Sequence, residues 1–177
     1  MSIQRTVLLL ACALFPFAAT GATVQLFLAT LNGSSESPPT PSAGTGNVEI
    51  IYTPGTLMME VKGSFAGLMS SDTAAHIHCC ITSPSTNAGV ATTTPAFPGF
   101  PLGVTAGAYD STMDMNSAAS YNPAFVTANG DVAGARNTLL TGMRDGTAYF
   151  NIHTTNYPGG EIRGTVIMDT VFADGFD

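Results

Sequence analysis

Positively charged residues are scarce in this 177-residue sequence, which has five lysines and arginines against twelve aspartates and glutamates. The formal net charge is −7 at pH 7. That sign repels a phosphate backbone, and no run of basic residues offsets it, which argues against a nucleic-acid partner. Charged residues of both signs make up only 10% of the chain, while Gly, Ser, Thr, Pro and Ala abound, a mixture typical of short strands joined by turns rather than of helices.

Long apolar runs are missing after residue 22. No later segment approaches the roughly 18 uninterrupted apolar residues of a membrane helix. Residues 1–22 combine Arg5, an apolar core and small residues at 19–22, the pattern of a secretory signal peptide. We therefore predict a secreted or periplasmic protein with no membrane span. Residues 23–170 have the length of one domain, and residues 171–177 would form an acidic and aromatic tail.

Catalytic motifs are absent as well. The sequence has no recognisable Ser-His-Asp arrangement, phosphate-binding glycine loop or pair of catalytic carboxylates. Only three histidines occur in the whole chain, and no catalytic nucleophile is recognisable beside them. The sequence therefore predicts a protein that is not an enzyme, with redox activity through a bound metal left open.

The sequence is rich in segments where polar and apolar residues alternate, the pattern typical of β-strands. Residues 149–154 place Tyr149, Asn151 and His153 on one face and apolar residues on the other, as in a half-buried strand. A Pro-Gly-Gly turn follows, and residues 161–169 alternate again, so the stretch predicts a β-hairpin. Glu161 and Arg163 share one face of it, and a structural ion pair between them is expected.

Further strands are predicted at residues 23–31, 47–53, 56–62, 74–78 and 104–115. A helix is predicted over residues 131–143, where apolar residues recur at helical spacing and Asp131 can cap the N-terminus. A shorter helical turn is expected at Asn122-Pro123. Prolines in residues 81–103 exclude a central strand, and this loop is expected to cover a sheet edge. The fold prediction is all-β: a Greek-key-like antiparallel β-sandwich or open barrel with one short packed helix.

All three histidines fall on the predicted strands. His76 and His78 are two residues apart, so both rings lie on one face, separated by about 6.6 Å of rise. His153 would complete a three-imidazole set for copper or zinc if its strand is a neighbour. The alternative interpretation is structural: each ring hydrogen-bonds to loop backbone, Asn151 or Glu161 and fastens the sheet. Convergent rings favour the metal, and separated rings favour the structural role.

Cys79 and Cys80 follow the histidine pair directly. Exported compartments favour oxidation, but adjacent Cα atoms lie only about 3.8 Å apart, below the usual disulfide range. Three outcomes are open: a disulfide between Cys79 and Cys80, intermolecular bridging, or thiolates that bind a metal. A disulfide ranks first. Cys80 continues the histidine face and is the better candidate for a fourth metal ligand.

Two segments carry a family resemblance: AHIH at residues 75–78 and NIHTTNYPGGEIRG at residues 151–164. Together they resemble the CHRD domain, the module named from chordin and also found in bacterial exported proteins. Residues 28–50 resemble that family's opening strand, proline-containing loop and second strand, so the resemblance covers roughly residues 24–168. It implies an all-β extracellular domain without an established enzymatic activity. Cys79-Cys80 departs from the glycine or proline expected there.

The sequence thus predicts an exported, non-enzymatic CHRD-type module that binds an extracellular protein or a small ligand. In that role, an exposed aromatic or apolar patch is expected near residues 81–103. The alternative is a mononuclear copper or zinc protein using the three histidines, with Cys80 as a candidate fourth ligand.

Overall fold

The structure is a computed structural model that describes residues 23–83 and 85–170. The predicted signal peptide (1–22) and the predicted tail (171–177) lie outside the described residues. Within the described ranges, no helix is both long and apolar enough to cross a membrane.

The described residues form eight strands and two α-helices, with 3-10 turns at Gly33–Ser35 and Ala118–Ser120. The strands are β1 (Gln25–Asn32), β2 (Thr45–Thr53), β3 (Met58–Ala66), β4 (Asp72–His78), β5 (Gly107–Asp114), β6 (Tyr149–Thr154), β7 (Ile162–Thr165) and β8 (Ile167–Met168). The helices are α1 (Pro123–Ala128) and α2 (Val132–Arg144). Each predicted strand is present with its bounds shifted by a few residues, except that the predicted strand at 161–169 is divided into β7, which pairs with β6, and β8, which pairs with β1.

All eight strands belong to one antiparallel sheet, in the order β4-β6-β7-β1-β2-β3-β5, with β8 also paired to β1. The sheet curls into a half-barrel. The all-β prediction is confirmed, and of its two forms the open barrel describes the curl. β4 and β6, the predicted histidine strands, are direct neighbours at one end of the sheet.

The helix predictions are also confirmed. The Asp131 side chain accepts a hydrogen bond from the backbone N–H of Gly134 at 2.7 Å and so caps α2, as expected for that position. Asn122 caps α1 in the same way, with Pro123 at the first helical position. α2 buries one face in the core through Ala135, Leu139, Leu140 and Met143.

The predicted half-burial of β6 is wrong. Every residue of Tyr149–Thr154 is buried. Phe150 and Ile152 face the apolar core inside the half-barrel. The opposite, polar face lies under two loops: the loop before β2 contacts Asn151 through Glu36, and the loop after β4 contacts Tyr149 through Ala88. The alternation of polar and apolar residues predicted the two faces of β6 correctly. It could not show that loops from distant parts of the chain cover the polar face.

The loop that follows β4 covers the outer edge of that strand, as predicted. Its backbone pairs with the edge: the N–H of Ala91 donates to the carbonyl of Ile77 at 2.9 Å, and the N–H of Cys79 donates to Gly89 at 3.1 Å. These bonds occupy backbone groups that would otherwise be an unpaired sheet edge. They also hold the loop against the polar face of β4.

Candidate metal centre

The three histidines converge on the buried polar face of β4 and β6. His76 and His78 lie on β4, and His153 lies diagonally across the register on β6. One ring nitrogen of each lies within 4.8 Å of the other two. The residues are only 5%, 8% and 9% exposed, respectively. The convergence expected for a metal site is present.

Each ring also binds a loop carbonyl. Nδ1 of His78 lies 2.8 Å from the carbonyl oxygen of Ala88, and Nδ1 of His153 lies 3.0 Å from that of Pro158. His76 hydrogen-bonds to the Pro95 carbonyl. A carbonyl can only accept, so the ring nitrogen at each bond carries the proton. Such outward bonds fix the tautomer and orientation of metal-binding histidines.

The remaining nitrogen of each ring is buried without a hydrogen-bond partner: Nδ1 of His76, Nε2 of His78 and Nε2 of His153. A neutral imidazole has one proton, and each ring uses it on a carbonyl. The three remaining nitrogens are therefore all acceptors and cannot satisfy one another. A buried unpartnered acceptor costs about 1–3 kcal/mol, so three together call for a cation or a donor among them.

Burial keeps these rings neutral. Desolvation, together with the neighbouring histidines, lowers the pKa of His76 to about 3. Desolvation likewise lowers the pKa of His78 to about 4, against the opposing effect of its bond to Ala88, and lowers the pKa of His153. Neutral imidazole is the form that binds a metal ion. At neutral pH the site therefore offers three lone pairs without first losing protons.

The spacing suits one ion. Imidazole nitrogens bound at about 2.0–2.1 Å from a single metal can be no more than roughly 4.2 Å apart. The rings would need to close in by less than about 1 Å from their present separation. A mononuclear three-nitrogen centre fits the cluster.

An aromatic and cationic stack lies beside the cluster. The ring of Tyr149 stacks on His78, with centroids 4.7 Å apart and planes 5° from parallel. The guanidinium of Arg163 lies 4.6 Å from the Tyr149 centroid. This stack fixes the plane of the His78 ring and brings a positive charge close to the site.

Arg163 pairs with Glu36, with Nε and Oε2 3.8 Å apart, and not with Glu161 as the expected ion pair required. Glu161 instead accepts hydrogen bonds from Ser42, Thr154 and the backbone of Met69. The expected ion pair joined Glu161 and Arg163, two positions on the same face of one strand. The partner of Arg163 is instead Glu36, in the loop that follows β1. Strand alternation gives no information about contacts with such a distant loop.

Glu36 is the residue of this site that sequence reasoning missed, because it lies in a proline-rich loop without a strand or helix pattern. It is 6% exposed and accepts a 2.6 Å hydrogen bond from Nδ2 of Asn151. Burial raises its pKa to about 7, although Arg163 and the Asn151 bond oppose that shift. The available signal was its position as the only charged residue between residues 23 and 48.

Gly160 allows this loop and the hairpin turn to approach. Its φ is +127°, and a Cβ there would lie 2.5 Å from Nδ2 of Asn151 and 2.6 Å from Oε1 of Glu36. We expect Gly160→Ala to lower the free energy of unfolding by at least about 2 kcal/mol, through both backbone strain and this overlap. Urea denaturation checks it. Gly159→Ala in the same turn, where a Cβ meets nothing within 4 Å, is the control and should cost less than about 1 kcal/mol.

The cysteines lie away from the histidine cluster. The Sγ atoms of Cys79 and Cys80 are in disulfide contact with each other. Both also face the Thr138 carbonyl on α2, at 3.9 and 3.8 Å. The metal-ligating group among the described residues contains the three histidines and not Cys80.

The expected exposed aromatic patch near residues 81–103 is not found among the described part of that loop. Its two phenylalanines, Phe97 and Phe100, are 2% and 9% exposed and belong to the core. Leu102 is exposed by 42%. This loop therefore uses its aromatic residues for packing.

Together, the half-barrel and the cluster define an all-β domain with a buried three-histidine centre under two covering loops. The sequence matches the CHRD domain over residues 27–166, and the chain belongs to that family. No curated protein and no solved structure matches the chain.

Proposed function

We propose that this chain is an exported CHRD-domain protein that binds one copper or zinc ion through His76, His78 and His153. One observation carries the proposal: three buried ring nitrogens converge, and each has its lone pair free because the other nitrogen of its ring donates to a loop carbonyl. A merely structural histidine needs the outward bond only. It gains nothing from turning its second nitrogen towards two other acceptors.

The role we propose is binding rather than catalysis. A bound ion would supply Lewis acidity or a redox couple, but the three histidine residues are at most 9% exposed, which leaves little access for a substrate. Export rests on the predicted signal peptide at residues 1–22. Binding of an extracellular protein or small ligand stays a prediction, and the groove of about 410 Å³ between the 36–41 loop and the 156–160 turn is where we would look for it.

Elemental analysis and copper and zinc titration of the domain from residue 23 onwards test the proposal. We expect about one ion per chain, and loss of that binding in a His76→Ala/His78→Ala/His153→Ala variant that remains folded by circular dichroism. Should the triple variant unfold, each single substitution to glutamine serves instead.

The acidic surface must be excluded as the binding site. Asp110→Asn/Asp114→Asn removes two exposed carboxylates from β5, on the far edge of the sheet, and should leave the stoichiometry and affinity unchanged. Binding that follows the aspartates, or a folded wild type that binds no ion, would refute the proposed function.

A further inference from the structure

We infer that the centre selects monovalent copper, Cu(I), over divalent ions such as Zn(II). The inference rests on the proposed function and names the ion that this same site prefers. It follows from the charges around the three histidines and from how completely they are enclosed.

The ligand set is electrically neutral. Three imidazoles contribute no negative charge, and the metal-ligating group among the described residues includes no carboxylate or thiolate. The cost of moving an ion from water into a low-dielectric interior rises with the square of its charge, so a divalent ion pays about four times the cost of a monovalent one. Neutral nitrogen donors compensate that cost better for Cu(I).

The nearby carboxylates are engaged elsewhere. Glu36 faces Arg163 and accepts from Asn151, and Glu161 accepts three hydrogen bonds of its own. A divalent ion in this pocket would therefore have to recruit an anion from outside.

Arg163 adds a positive field. Its guanidinium lies on one side of the Tyr149 ring, and His78 of the cluster is stacked against that ring, so only Tyr149 separates the charge from the cluster. The two centroid distances place the guanidinium at most about 9 Å from the His78 ring. At that distance and an effective dielectric of about 20, a unit charge weakens binding of a monovalent ion roughly twentyfold and of a divalent ion roughly five-hundredfold. Glu36 offsets part of both effects. The positive charge of Arg163 therefore weakens binding of a divalent ion more than binding of a monovalent ion.

Coordination number points the same way. Zinc in proteins is almost always four-coordinate, and a site with three protein ligands completes the set with water or substrate. Here the three residues are 5–9% exposed, so the space for a fourth ligand is restricted. Cu(I), a closed-shell ion, is satisfied by three nitrogens.

The test is competition on the full-length mature chain under anaerobic, reducing conditions. Chromophoric chelators report free Cu(I) and free Zn(II) separately. We expect one equivalent of Cu(I) to remain bound in a hundredfold excess of Zn(II). Displacement of Cu(I) by zinc overturns this inference while leaving the proposed function intact, whereas failure of both ions to bind refutes the proposed function itself.

Arg163 supplies the second readout. Arg163→Gln should raise zinc affinity roughly twentyfold more than Cu(I) affinity, because the field acts on twice the charge. Arg163→Lys keeps the charge and should preserve the wild-type ratio of affinities. An unchanged ratio in a folded Arg163→Gln variant overturns the electrostatic account of selectivity. If that variant does not fold, the wild-type displacement decides alone.

Discussion

His76→Leu is expected to abolish stabilisation by metal while leaving the metal-free domain within about 1 kcal/mol of wild type. The substitution removes a buried acceptor that has no partner, which costs the wild type about 1–3 kcal/mol. It also breaks the bond to Pro95, worth about 1 kcal/mol, so the two effects largely offset. In the wild type, an ion at a hundred times its dissociation constant should add about 2.7 kcal/mol.

Urea denaturation of both proteins, with and without metal, measures the difference. Ile77→Val is the matched control because it changes the neighbouring side chain on the opposite face of β4. It should cost about 0.5–1.5 kcal/mol equally in both conditions. If His76→Leu destabilises the domain by several kcal/mol whether or not metal is present, the structural interpretation of the histidines is correct.

Acid is expected to unfold the metal-free domain between about pH 6.5 and 4. The folded-state pKa values of His76 and His78 are lowered to about 3 and about 4, against 6.5 when unperturbed. Over that window the unfolded chain binds more protons than the folded one, so stability falls as pH falls. One pKa unit corresponds to about 1.4 kcal/mol, so the two histidines together lower the free energy of unfolding by several kcal/mol. That is a large part of the roughly 5–15 kcal/mol by which native proteins are usually stable.

Glu36 acts in the opposite direction. Its pKa is raised in the folded state from 4.5 to about 7, so it contributes stability at low pH that is lost as pH rises through about 7. It offsets part of the histidine effect between about pH 4.5 and 7. Glu36→Gln should therefore steepen the loss of stability on acidification.

Far-UV circular dichroism across pH, combined with urea denaturation at each pH, measures this dependence. His76→Leu/His78→Leu should flatten it, and bound metal should shift the acid midpoint downwards because protons and the ion compete for the same nitrogens. Stability that stays constant from pH 6.5 to 4.5 would contradict the burial of three neutral histidines.

Local patterns predicted most of the fold. Asp131 and Asn122 cap their helices because a short polar side chain satisfies orphan N–H groups, an effect confined to a few neighbouring residues. The alternation around Tyr149 predicted β6 and its faces for the same reason. The histidine set was also visible, since two rings at i and i+2 must share one side of a strand.

Contacts between residues far apart in the sequence could not be predicted. Whether His153 reaches His76 depends on β4 pairing with β6 across some seventy residues of chain, which alternation leaves open. The Glu36 to Arg163 pair joins positions even further apart. The resemblance to the CHRD domain implied an all-β fold, and membership of that family is confirmed over residues 27–166. It assigned no role to any of these side chains.

The most direct measurement is a crystal structure of the metal-loaded domain with anomalous scattering recorded at the metal's absorption edge. We predict a single peak about 2.0–2.1 Å from Nδ1 of His76, Nε2 of His78 and Nε2 of His153, with the outward bonds to the loop carbonyls unchanged. A fully loaded crystal whose peak lies elsewhere, or whose three rings remain free of metal, would contradict the account.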